Sequence, residues 1–217
     1  MGRKPAAKQG DTLKDIRSAA FGLFGQHGYD GVSMNALASE ADITKAALYW
    51  HYESKEALFT DCLRELHALF QHYVFERVKA EENPGDKLLA VFHGIVALMR
   101  DERIKAGIAG YWLNPGSGVL DEASALQRDF EEQSARFIAS IIQEGIDEGE
   151  LVVEIPVEEM ALAIISTMEA ITLPLRRLSP DEILPLVGSL AHTFFRAHAT
   201  GDELPKRAME LANFQTR

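Results

Sequence analysis

The chain has 217 residues, 47% apolar and 25% charged, a balance that supports one large or two small folded domains and excludes disorder over most of its length. Its 22 basic and 33 acidic side chains leave a formal net charge of −11, which as a single total argues against nucleic acid as a partner. The single cysteine, Cys62, excludes a disulfide framework and any multi-cysteine zinc site.

Met1 to Pro5 lead into no apolar signal stretch, and the longest nearly apolar run, Leu88 to Met99, falls short of the roughly 20 residues that a membrane helix needs. The expectation is a soluble cytoplasmic chain with no membrane partner. Its charge is uneven: residues 1–60 hold seven basic and seven acidic side chains, so the whole −11 lies in residues 61–217. Within the first 17 residues bases lead acids five to two, and residues 1–10 read as a flexible basic arm.

The pattern is all-α. Apolar residues recur at helical spacing throughout, apart from the short β-like fragment Leu151 to Ile155. A first helix is predicted from Asp11 or Thr12, with Ile16, Ala20, Leu23, Phe24 and His27 on one face and Gly28 as its stop. Ser33 opens a short helix, Met34 to Ala41; Thr44 opens another, to about His51; Ser54 caps a fourth, long helix. Asn83-Pro84 begins a helix running to about Asp101, and a short one is expected around Glu102 to Trp112, before the breaker Asn114 to Gly118. Further helices are predicted at Leu120 to Asp147, closed by Gly149, then Val157 to Leu178, one from Ser179, and Glu203 to Phe214, about nine in all. Pro174 and Pro185 should kink or shorten the two that contain them.

Three initial helices of about 17, 8 and 7 residues, the last two joined by a tight turn, match a helix-turn-helix DNA reader over residues 11–55. The start of the third helix has suitable chemistry. Lys45 can donate to guanine, Thr44 to a base or phosphate, and Ala46 can touch a thymine methyl. Tyr49 and His51 offer flat donors to phosphate oxygens. Ser33 and Lys55 each stand at a helix N-terminus, where free amides favour an anion.

The segments Gly28 to Ala38 and Ala41 to Phe59 resemble the TetR (tetracycline-repressor) family signature, and Gly145 to Leu151 is a weaker echo of the same family. The resemblance implies a homodimeric transcriptional regulator, usually a repressor, with a ligand-responsive helical body over residues 56–217. Its DNA partner is then expected to be a pseudo-palindromic double-stranded operator, its effector a lipophilic small molecule. Where the family's turn usually carries glycine this chain has Asp42, which tolerates a left-handed conformation better than most residues.

In the body, the stretch from Met160 to Pro174 is too apolar for a single buried stripe. The resemblance implies that a second subunit covers it, with Ile164, Ile171, Leu186, Leu190 and Phe194 as candidates for that interface. Candidate effector contacts are Tyr111, Trp112, Met168 and Glu169, with Met99, Phe130 and Phe137 as further apolar lining. Ser166, Glu169 and Thr172 share a stripe that suits a solvated or interface face; if Glu169 instead points inward it suits a cationic or hydroxylated ligand. His93 and His192 read as core histidines.

Two other readings are weighed. A helical-bundle enzyme lacks support: no histidine has a glutamate three residues before it, and there is no His-Glu-x-x-His, nucleophile elbow or phosphate loop. No catalytic residue, metal or cofactor is therefore expected. A helical protein-interaction module, using the helix-turn-helix for packing alone, is the remaining alternative.

Overall fold

Hydroxyl caps fix the starts of the early helices. Ser33 Oγ accepts the Ala36 amide at 3.1 Å, Thr44 Oγ1 that of Ala47 at 3.1 Å, and Ser54 Oγ that of Ala57 at 3.0 Å. Each satisfies an amide that has no partner inside its helix. The elements they open are α2 (Met34–Glu40), α3 (Lys45–His51) and α4 (Lys55–Phe70). The computed structural model describes residues 6–104, 107–112, 121–172 and 179–212.

Ahead of them α1 spans Ala6–His27 and starts earlier than the sequence pattern suggests. Ala6, Ala7, Lys8 and Gln9 are strong helix formers, so the helix runs through part of the span read as an arm. The rest of that arm, residues 1–5, lies outside the described residues. Gly28, at φ 70°, closes α1 as expected. Asp42 takes φ 50°, the left-handed turn that the missing glycine requires.

Past Phe70 the chain winds on through a π-helical turn, Gln71–Phe75, into α5 (Glu76–Lys79). In an α-helix side chains five residues apart point about 140° from each other. The wider turn brings Phe70 and Phe75 to the wall of one cavity.

α6 (Pro84–Met99) is the centre of the body. Twelve of its 16 residues are buried, because α5, α8, α10 and α11 and the π turn cover it on most sides. The helix expected around Glu102 to Trp112 is reduced to α7 (Ala109–Trp112), since Gly107 turns the chain at φ 96°. α8 (Asp121–Asp147) ends at Gly149, φ 75°, and α9 spans Val157–Thr172. Between them Leu151 makes an isolated antiparallel bridge with Ala199 rather than a strand, since Pro156 ends the extended run.

α10 (Pro180–His198) opens with a capping box in which Glu182 Oε2 accepts from both Ser179 N and Ser179 Oγ at 2.8 Å. Pro185 sits near its N-terminal end without ending it. α11 (Glu203–Ala212) packs beside α10. The breaker Asn114 to Gly118 and Pro174 lie outside the described residues. No helix among the described residues is long and apolar enough to cross a membrane.

Candidate nucleic-acid interface and internal cavity

α3 stands on a closed base. Leu48 is fully buried, and the next ring inward, Tyr52, is 9% exposed. The Tyr52 hydroxyl donates to Asp61 Oδ2 at 2.5 Å and accepts from Arg17 Nε at 3.2 Å, while Arg17 Nε also reaches Asp61 at 2.7 Å. Burial, then the Asp61 carboxylate, hold the Tyr52 phenol well above its ordinary pKa, so it stays a donor. This node joins α1 and α4 to the C-terminal end of α3. The sequence gives no sign of Arg17 and Asp61, because the pairing spans 44 residues.

The opposite side of α3 is open. Thr44, Lys45, Ala46 and Tyr49 are exposed, with Tyr49 at 47%. Lys45 Nζ lies 5.9 Å from the Tyr49 ring centre, which gathers cation and ring at one place. His51 is half-buried with its ring edge-on to Trp50 at 4.7 Å, and Trp50 is 69% exposed, a large apolar group left outward at the reader surface. Ser33 is exposed at the start of α2.

Lys55 departs from expectation. Its ammonium donates to the carbonyls of Tyr29 and Val32, at 2.9 and 3.0 Å, and sits 3.9 Å from the Tyr29 ring centre. Carbonyls in the turn after α1 need donors, and this side chain supplies one inward instead of meeting an anion.

Behind the reader, aromatic rings stack in sequence. Phe24 meets Phe59 edge-on at 5.0 Å, and Phe59 stacks on Tyr111 at 5.4 Å. Tyr111 is fully buried and its hydroxyl donates to Phe21 O at 3.1 Å, so it belongs to the joint with α1 rather than to an effector site. Gly110 makes that joint possible: a Cβ there would lie 2.0 Å from Phe24 O and 2.6 Å from Gly28 N. The next residue after Tyr111, Trp112, lines the cavity. The short helix α7 therefore touches the reader with one side and the cavity with the other.

The cavity, about 70 Å³, lies among α4, the π turn, α6, α7, α8 and α9. Phe70, Phe75, Trp112 and Phe130 form its aromatic wall, and Met99 and Met168 add to the apolar lining. Phe137 is one ring further out, against Phe75 at 5.5 Å. Its ionisable lining residues, among those described, are two carboxylates, Glu131 and Glu169. Glu169 thus faces inward, away from exposed Ser166; the side chain of Thr172 lies outside the described residues. Burial, then the neighbouring Glu131, raise the Glu169 carboxyl to about 7.

A polar chain that the sequence did not reveal supports Glu131. His67 stacks on Phe130 at 4.0 Å, and its Nε2 donates to Gln127 Oε1 at 2.9 Å. Gln127 Nε2 in turn donates to Glu131 Oε1 at 2.6 Å. His93 and His192 each place Nδ1 on a backbone carbonyl, of Leu89 and Pro205.

Of the interface candidates, Leu186 is exposed at 47%, and Ile171 and Leu190 are half-buried. Ile164 and Phe194 are buried within the chain, the first in the cavity wall beside residues of α6 and the second against Phe92 of α6 and Phe195. Leu162, 53% exposed on α9, is an outward apolar residue that the sequence reading passed over.

A helix-turn-helix unit with an open third helix, joined to a helical body with an internal cavity, is the architecture of a DNA-binding regulator. Residues 16–62 match the family described as bacterial regulatory proteins, tetR family. YezE of Bacillus subtilis, an uncharacterized HTH-type transcriptional regulator, is 30% identical over 156 residues, 70% of this chain and 76% of its own length. The chain belongs to the tetR family. The probable acrEF/envCD operon repressor of Escherichia coli is 33% identical over 61 residues, so the match spans 28% of that relative's length. Among solved structures, AibR in complex with isovaleryl coenzyme A and operator DNA aligns with TM-score 0.67 and 22% identity, over 82% of this chain and 97% of that one. That likeness is one of fold.

Proposed function

We propose that this protein is a ligand-responsive, sequence-specific DNA-binding repressor that works as a homodimer in the cytoplasm, by binding rather than catalysis. One observation carries the reading: the exposed side of α3 gathers Thr44, Lys45, Ala46 and Tyr49 over a base closed by Leu48 and Tyr52. Donors and a small methyl at one helix end are what a major groove accepts. Ser33, His51 and the backbone amide of Lys55 add phosphate contacts around it. In this reading residues 11–55 are the reader, residues 56–217 the sensing and dimerising body, and the remaining N-terminal residues a basic arm.

The outward apolar residues Leu162 of α9 and Leu186 of α10, with half-buried Leu190 beside them, support pairing with a second copy. A two-fold dimer sets two reader helices roughly 34 Å apart, in successive major grooves. Ligand in the cavity moves Trp112, and α7 passes the movement to α1 through the Gly110 and Tyr111 contacts. Only a ligand that favours one reader spacing over the other changes DNA affinity this way. The relatives named as repressors favour loss of binding as the response. Selection of bound duplexes from a random pool tests the proposal: an inverted repeat should emerge, protected by a dimer. Recovery of unrelated sequences at equal affinity would refute it.

A further inference from the structure

The cavity is closed by a piece of helix that has another way to wind. We propose that the π turn Gln71–Phe75 is a gate: by moving toward the C-terminus it swings Phe75 out of the wall and admits an apolar molecule about one ring in size. This deepens the proposed sensing function and rests on it only for the consequence at the DNA.

Size is the first support. At about 70 Å³ the cavity has under half of the roughly 150 Å³ at which a dry apolar site takes up benzene. A chain that senses an organic molecule there has to make room, and one side chain holds that room. Phe75 lines the cavity beside Phe70 because the turn between them is wide, with the Glu76 amide donating to Gln71 O, five residues back. With residues 71–75 wound as an α-helix after Phe70, Phe75 would point about 140° from it and its ring would leave the wall.

The flanks favour one direction of travel. Toward the N-terminus lie fully buried Leu63 and Leu66 and the Asp61 node. Toward the C-terminus lies only α5, which ends at Lys79, so the extra residue is handed on to a helix end.

The facing helix is shaped to the wide turn. Gly94 of α6 comes so near that a Cβ there would lie 2.6 Å from Tyr73 O and 2.7 Å from Val74 Cα. Glycine is costly inside a helix, and here its bare backbone seats the turn. Two contacts hold the gate shut at rest. Buried Val74 packs on α6 at Gly94, and the Tyr73 hydroxyl donates to Asp101 Oδ2 at 2.9 Å, just past the end of α6. Tyr73 is not among the residues lining the cavity, so it acts on the gate without touching the contents.

The test measures benzene binding to the full chain without DNA, by NMR titration. A gate scales the apparent affinity by the fraction of molecules that are open. Tyr73→Phe cuts the tether and should tighten benzene binding about five-fold. Phe75→Ala removes the ring and should tighten it about ten-fold. In that second background Tyr73→Phe should add nothing, since no gate is left to open. Hydrogen exchange needs no variant: saturating benzene should raise protection over residues 71–75 and lower it over residues 76–80, about ten-fold each way. No benzene binding by the parent, an equal effect or none from Tyr73→Phe in the two backgrounds, or unaltered protection with benzene bound would each overturn the gate. A second arm adds benzene to the complex with selected DNA. Opening without any change in DNA affinity would uphold the gate while refuting the sensing reading.

Discussion

Around α3 the polar groups point outward and the rings inward; around the cavity both point inward. The reader keeps Thr44, Lys45 and Tyr49 in water and packs Leu48, Phe24 and Phe59 behind them. Its donors are thus solvated until DNA replaces the solvent, and nothing at rest is strained by their presence. The cavity instead turns two half-buried carboxylates, Glu131 and Glu169, toward aromatic walls, where each gives up part of its hydration. Donors left in water keep their hydration, whereas carboxylates set against rings surrender some of it.

The largest break in that comparison comes at the reader. Lys45→Ala combined with Tyr49→Ala should weaken binding to the selected DNA by about 100-fold and reduce its salt dependence, with the helical circular dichroism spectrum retained. Fluorescence anisotropy across a salt series measures both quantities; unchanged affinity would remove α3 from the role of reader. At the joint between the two regions, Gly110→Ala drives a methyl into the Phe24 carbonyl, 2.0 Å away, and should cost about 1–3 kcal/mol of stability. A thermal melt matching the parent would show that α7 and α1 can separate freely, and the coupling route would fail with it.

At the cavity the comparison is sharpened by pH. Glu169 is raised from 4.5 in the ordinary case to about 7 in the fold, so between these values the folded chain holds the extra proton. Its contribution to stability therefore falls as pH rises from about 4.5 to about 7. Buried His67, whose pKa is lowered by desolvation, contributes a slope of opposite sign. Subtracting the melting profile of Glu169→Gln from that of the parent isolates the carboxylate, and a flat difference would place Glu169 in water. The smallest effect belongs to the reader's turn: Asp42→Gly should gain up to about 1 kcal/mol, since glycine takes a positive φ without a Cβ clash. Urea titration resolves a change of that size, and a loss of stability would mean that the Asp side chain holds the turn.

The same contrast explains what was legible in the sequence. Caps act over three residues, so Ser33, Thr44 and Ser54 announced three helix starts and Asp42 announced its turn. The cavity is assembled from residues as distant as Phe70 and Glu169, and only residue type pointed to Trp112, Met168 and Glu169. Tyr111 was indistinguishable from its neighbour Trp112, since adjacent residues on a short helix look alike in sequence and face different ways in space. Lys55 misled for a related reason, because a helix N-terminus advertises its amides without saying where a long side chain will bend. Phe70 and Phe75 were missed as partners because their alignment needs a winding that no α-helical periodicity contains.

That winding bears on kinship as well as geometry. A residue gained or lost at the π turn leaves everything before it in place and re-phases everything after it. A lineage can therefore keep its reader letter for letter while a single insertion presents new side chains to the cavity.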